Sequence, residues 1–187
     1  SRWLFGRVAA KDAARILWWL RHGDRLFPAD IEIDRDDLGR LRATPAGMER
    51  TADFPRVSFA ATNSFMVAAA SVGSPVGVAI ASLDDDEEPL DETILAAVEG
   101  ASDPDGDLAA RLTAARNAIV EARGNQIVRA PPQVDVLRWD DDGNVYVALD
   151  TQLCTAYPEY LGKRIVVRTF RCQNMIIATT TGQCEAT

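Results

Sequence analysis

The chain has few side chains able to do covalent or metal chemistry. It has one histidine, His22, and three cysteines, Cys154, Cys172 and Cys184, in 187 residues. A thiolate nucleophile needs only a nearby cation or base, so a cysteine paired with His22 is arithmetically possible, and nothing in the spacing selects which cysteine. Cys172, in an expected hairpin turn, is the best placed of the three. No Cys-x-x-Cys pair occurs, so a structural zinc site lacks ligands. One disulfide is possible, but three reduced thiols explain the pattern equally well, and free thiols are the expectation.

Carboxylates are plentiful: Asp84 to Glu88, Asp140 to Asp142, and Asp103, Asp105 and Asp107 form three clusters. Hard cations favour such oxygen donors, yet the third cluster lacks the glutamate a calcium loop carries at its twelfth position, where Ala114 stands. Helix capping and solvation account for all three, so no metal and no cofactor is expected. The chain also lacks Gly-x-x-x-x-Gly-Lys and Gly-x-Gly-x-x-Gly, the loops that cradle phosphates.

Two short strings resemble catalytic motifs. Arg21-His22-Gly23-Asp24-Arg25 followed by Pro28 resembles the Arg-His-Gly-x-Arg-x-Pro signature of histidine acid phosphatases. That resemblance implies His22 as the phosphorylated nucleophile and Arg21 and Arg25 as the phosphate clamp. It covers nine residues, has one extra residue before Pro28, follows an apparent helix instead of a strand, and has no second histidine. Ala69-Ala70-Ser71-Val72-Gly73 is similar to the nucleophile elbow of α/β-hydrolases. That family's order places the histidine after the serine, whereas His22 precedes Ser71. A helix end for His22 and a tight turn at Ser71 are the simpler readings.

The charge balance narrows the partners. Twenty basic groups against 28 acidic ones leave a net charge of −8, and the basic groups are 18 arginines and two lysines, Lys11 and Lys163. Residues 51–110 hold 12 acidic groups and one basic group. A protein that coats nucleic acid needs the opposite sign. A winged-helix reading with Gly39-Arg40-Leu41-Arg42 in the wing lacks a second helix before it. The longest apolar stretch, Ser64 to Leu83, is broken by Gly73, Ser74, Pro75 and Gly77, so no membrane span is expected. The first residues have no apolar run of signal-peptide length, export stays open because a signal can already have been removed, and of the locations a cytoplasmic assembly or a particle is favoured.

The elements that would position these groups read as α+β: a mainly antiparallel sheet with about three helices packed on it, in a single domain over 1–187. Val8 to Leu20 has helical spacing, with Ala9, Ala13, Ile16, Leu17 and Leu20 turned inward, Arg7, Lys11 and Arg15 opposite, and Gly23 ending it. Short strands are expected around Ile31 to Ile33 and Val57 to Phe59. Phe65 to Ser71 and Val76 to Leu83 read as a buried hairpin. A second helix is expected from Leu90 to Gly100, and a third from Asp107 to Arg123 with Leu108, Leu112, Ala115, Ile119 and Ala122 inward. Two hairpins follow, Val134 to Trp139 with Val145 to Asp150, and Arg164 to Phe170 with Asn174 to Thr180.

Trp18 does not fit this pattern, since it falls in the middle of the cationic row, with Trp19 at its border. Either another part of the chain covers Trp18 or a neighbouring molecule does. With Trp3 and Phe5, these indoles give the N-terminal segment, residues 1–25, more apolar surface than a monomer needs. The expected function is a non-enzymatic subunit of a homo-oligomer, such as the shell, tube or connector of a virus-like or secretion-like particle. Its interface would be Trp3, Phe5, Trp18 and Trp19, and its partners itself and other assembly subunits. A small hydrolase using His22 or a cysteine, and a regulatory or binding module, are the alternatives.

Overall fold

A computed structural model describes residues 2–37, 39–48, 54–74, 76–83, 107–123, 136–139, 144–148 and 163–186. The chain opens with helix α1 (Arg2–His22), whose last turn is closed by Gly23 N–H donating to the Trp19 carbonyl at 2.8 Å. A single 3₁₀ turn at Pro28–Asp30 leads into β1 (Ile31–Arg35), β2 (Leu41–Pro45), β3 (Arg56–Ala61) and β4 (Met66–Ser71). These form a four-stranded antiparallel sheet in the order β1-β2-β3-β4. The β1–β2 connection is held by Asp36, whose carboxylate accepts from the Arg40 amide at 2.9 Å and from its guanidinium Nε at 2.7 Å. Alternation decides which side of this sheet is covered. Ile31, Ile33, Ala43 and Val57 lie on one face and form a core with Ala10 and Ala14 of α1.

The second layer pairs β5 (Val78–Ser82), β6 (Val136–Trp139), β7 (Asn144–Ala148), β8 (Lys163–Cys172) and β9 (Met175–Ala186) in the order β5-β9-β8-β7-β6. Every pairing is antiparallel. Helix α2 (Leu108–Arg123) lies across β5, β9 and β8. Its buried side includes Leu112, Ala115, Ile119 and Ala122, as its spacing predicts, and also Ala110, Ala114 and Ala118. With so many methyl-sized side chains, the helix comes unusually close to the sheet. A Cβ built on Gly77 would collide with the backbone carbonyl oxygen of Ala118. Asp107 begins α2, pairing with Arg111 at 2.7 Å, and Arg111 also donates to Thr169 Oγ1 of β8 at 3.2 Å.

The architecture is therefore α+β with antiparallel sheets. Two α-helices stand among the described residues, against an expectation of about three, and the expected helix from Leu90 to Gly100 lies outside them. The two C-terminal hairpins form as the alternation predicts. The central hairpin does not. Phe65 to Ser71 and Val76 to Leu83 diverge, with β4 completing the first sheet beside β3 and β5 pairing with β9 in the second. Two apolar arms around turn residues look alike whether they pair or part. Here the parting is fixed by distant partners: the Gly77 amide donates to Thr180 Oγ1 at 2.9 Å, and the Val78 amide to Ser58 Oγ at 3.1 Å.

Candidate functional site

Helix α1 is turned on its sheet differently from the expectation. Gly6, Ala10 and Ala14, at intervals of four, make the buried seam, and Phe59 of β3 fills the space where a Gly6 side chain would stand. Ile16 and Leu20, expected inward, face solvent instead. Close approach explains the rotation, because a seam of small side chains lets the helix backbone settle onto β3 and β4, which long aliphatic chains would prop away. The cations follow the turn. Arg7 Nη2 donates to the Ile33 carbonyl and Lys11 Nζ to the Pro28 carbonyl, both at 2.9 Å, so two cations of this row tie α1 to β1 and to the turn that precedes it.

The opposite side of α1 carries Leu4, Phe5, Val8, Ile16, Trp19 and Leu20, within half the helix circumference. Phe5 is 63% exposed and Leu20 69%, so these are not side chains at the margin of a core. Asp12 and Arg15 are the charged residues within the stripe, and they pair with each other at 3.1 Å. Burying a side chain of this size is worth roughly 1.5–3 kcal/mol, a gain this half of α1 forgoes in the isolated chain. Phe27 and Met48 add exposed apolar surface beyond the helix.

The four residues singled out in the sequence divide. Trp3, Phe5 and Trp19 are exposed, and the Arg7 guanidinium lies 4.6 Å from the Trp3 ring. Trp18 is half-buried, its ring 4.3 Å from His22 and 5.6 Å from Phe54, so its own chain supplies much of its cover. Leu4, Val8, Ile16 and Leu20 escaped the sequence reading, although the Gly6, Ala10, Ala14 spacing marks the true inner seam.

A cleft of about 190 Å³ opens where β2 begins and β3 runs on without it. Arg35, Arg40, Arg56, Ser58 and Phe59 line it from the first layer, and Glu121 of α2 from across. Two of its guanidiniums serve the β1–β2 turn: Arg40 pairs with Asp36 at 2.7 Å, and Arg35 donates to the Gly39 carbonyl at 2.6 Å. Loss of hydration against the cleft wall raises the Glu121 carboxyl above the ordinary carboxylate value, and the nearby Arg35 charge opposes that rise. The Ser58 hydroxyl accepts from Val78 and has a structural role.

No family model, curated protein or solved structure matches this chain.

The residues offered for chemistry do not converge. His22 sits exposed at the C-terminal end of α1, preceded by helix where the phosphatase signature has a strand. Arg21 and Arg25 are exposed beside it, and neither they nor His22 border the cleft. Ser71 ends β4 in the first sheet, and Cys172 is a free, half-buried thiol at the β8–β9 turn. The side chains of Cys154 and Cys184 and the clusters at 84–88 and 140–142 lie outside the described residues. Among the described residues no three of His, Cys, Asp and Glu gather as a metal site would require. Among them too, no helix is long and apolar enough to cross a membrane.

Proposed function

We propose that this protein is a non-enzymatic assembly subunit that associates with copies of itself through the outer face of α1. One observation carries the reading: a 21-residue helix, anchored by Gly6, Ala10 and Ala14, turns six large apolar side chains to solvent. Apolar surface gathered on one face of a rigid element marks a contact with another chain. Phe5 and Trp19 belong to that contact, Trp18 lies beyond its edge, propped by Phe54, and Trp3 stands on the opposite side of the helix beside Arg7. A shell, tube or connector is the kind of particle such a subunit would build, and other assembly subunits would bind at surfaces beyond α1. The scattered placement of His22, Ser71 and Cys172 gives a hydrolase no support.

Mass measurement in solution, combined with imaging of any particles, tests the proposal. The wild-type chain is expected to run as a multimer. Ile16→Glu and Trp19→Glu, at positions where a charge does no harm to an isolated fold, are expected to reduce it to the monomer. A wild-type chain that stays monomeric at high concentration, or variants that associate as before, would overturn the assignment.

A further inference from the structure

We infer that α1 pairs with the α1 of a second copy in antiparallel fashion, about a two-fold axis passing by Asp12; this rests on the assembly reading above. The stripe is symmetric in sequence. From Phe5 the exposed row steps to Val8, Asp12, Ile16 and Trp19 at intervals of three, four, four and three, the same in either direction. Reversing one helix about Asp12 therefore sets Phe5 against Trp19 and Val8 against Ile16, each contact occurring twice, with Leu4 and Leu20 on opposite flanks of the pair. A two-fold interface requires this arrangement, residue i meeting j while j meets i. A parallel pair would instead set Phe5 on Phe5 and Trp19 on Trp19. A mean spacing of 3.5 residues along this row also matches the seam by which two helices pack at a shallow crossing angle of about 20°.

Charge agrees with the same occupant. Two Asp12 carboxylates would meet near the axis, but each already holds Arg15 of its own chain at 3.1 Å, inside the stripe beside Val8. Reversal brings the second copy's Arg15 beside the first copy's Asp12, so two carboxylates and two guanidiniums alternate around the axis with no net charge. The surface suits a small interface. From Leu4 to Leu20 the stripe runs about 24 Å along the helix. Its central row, Phe5, Val8, Ile16 and Trp19, exposes on the order of 400 Å² per chain, and with the flanking Leu4 and Leu20 the total of about 600 Å² caps what two copies bury at about 1,200 Å².

Charged substitutions at two exposed positions test the register. Val8→Glu and Ile16→Lys, each alone, place two charges in the interface and are expected to weaken self-association roughly 100-fold. Mixed together, they set the carboxylate introduced at position 8 of one chain against the ammonium introduced at position 16 of the other, and leave Val8 against Ile16 at the second site. A 1:1 heterodimer, recognised by a mass tag on one variant, is therefore expected within roughly tenfold of wild-type affinity. Val8→Glu mixed with Leu20→Lys, which the two-fold does not bring together, is expected to remain dissociated. Circular dichroism confirms that each variant is folded. If each variant dissociates but the Val8→Glu and Ile16→Lys mixture does not re-form, the antiparallel register is wrong while the assembly reading stands. Rescue by Val8→Glu with Val8→Lys instead would establish a parallel pair and likewise overturn it. If neither single variant weakens association, or the wild type is a monomer, both the register and the assembly reading fail.

Discussion

Gly77→Ala is the sharpest test of how the second layer is built. A methyl group at this position meets the Ala118 carbonyl oxygen, stands 2.7 Å from the Ala122 nitrogen and 2.9 Å from the Ala118 carbonyl carbon, all backbone atoms of α2. No rotamer change relieves contacts between backbone atoms, so α2 must lift from β5, by roughly 1.5 Å or more at the Ala118 carbonyl, to regain ordinary separations near 3.5 Å. A gap of that size forfeits about half or more of the dispersion attraction along a seam that includes Leu112, Ala115, Ala118, Ile119 and Ala122. The expected cost is about 3 kcal/mol, the upper end of overpacking penalties. In a chain of this length each 1 kcal/mol moves the melting temperature by roughly 2–4 °C, so a fall of about 6–12 °C is expected. Thermal and urea unfolding at matched protein concentration measure it, because association would itself shift the midpoint. Gly73→Ala is the control. Its added methyl meets nothing within 4 Å, and its φ of +75° costs only about 1 kcal/mol of backbone strain. If Gly77→Ala is no worse than Gly73→Ala, α2 does not lie on β5 as described.

Two further outcomes follow from the charged groups. Asp107→Ala removes the buried partner of Arg111 at the start of α2 and weakens the tie to Thr169, so a loss of about 2–4 kcal/mol by urea unfolding is expected, with Asp107→Asn retaining part of it. Glu121 titrates in the other sense from a paired carboxylate. Its folded form holds the proton more tightly than the unfolded chain does, so the stability it contributes is full below the ordinary carboxylate range and is lost as pH rises through its raised folded value. Stability profiles of wild type and Glu121→Gln, compared from pH 4 to pH 8, should separate in that direction, the variant losing less on the way up. A difference of opposite sign would show that Arg35 outweighs desolvation.

Local patterns in the sequence were reliable where structure is local. Asp107 to Arg123 reads as a helix from its apolar spacing, and the β8–β9 hairpin from apolar runs on either side of a short turn, because both sets of contacts form between near neighbours. The rotation of α1 was misread because periodicity weighs side chains by size and puts Ile16 and Leu20 inside. The close seat offered to Gly6, Ala10 and Ala14 by Phe59 and the first sheet decides the matter instead, and that surface comes from elsewhere in the chain. The parting of β4 from β5 was hidden for a related reason. Thr180 takes the Gly77 amide from 103 residues away. The cleft combines Arg35 and Arg40, Arg56, and Glu121 from three separate segments, so no motif announces it.

The contact between Ser58 and Val78 has a consequence for how the molecule opens. The two sheets are separate hydrogen-bonded ladders, and at this joint the β5 amide ends on a side-chain hydroxyl instead of a backbone carbonyl. Backbone cooperativity therefore stops at the boundary, and each helix with its own sheet forms a natural unit of partial unfolding. The outward stripe of α1 belongs wholly to the first unit. Thermal motion or a damaging substitution in the second can then loosen half of the molecule while the surface that meets a neighbour keeps its shape.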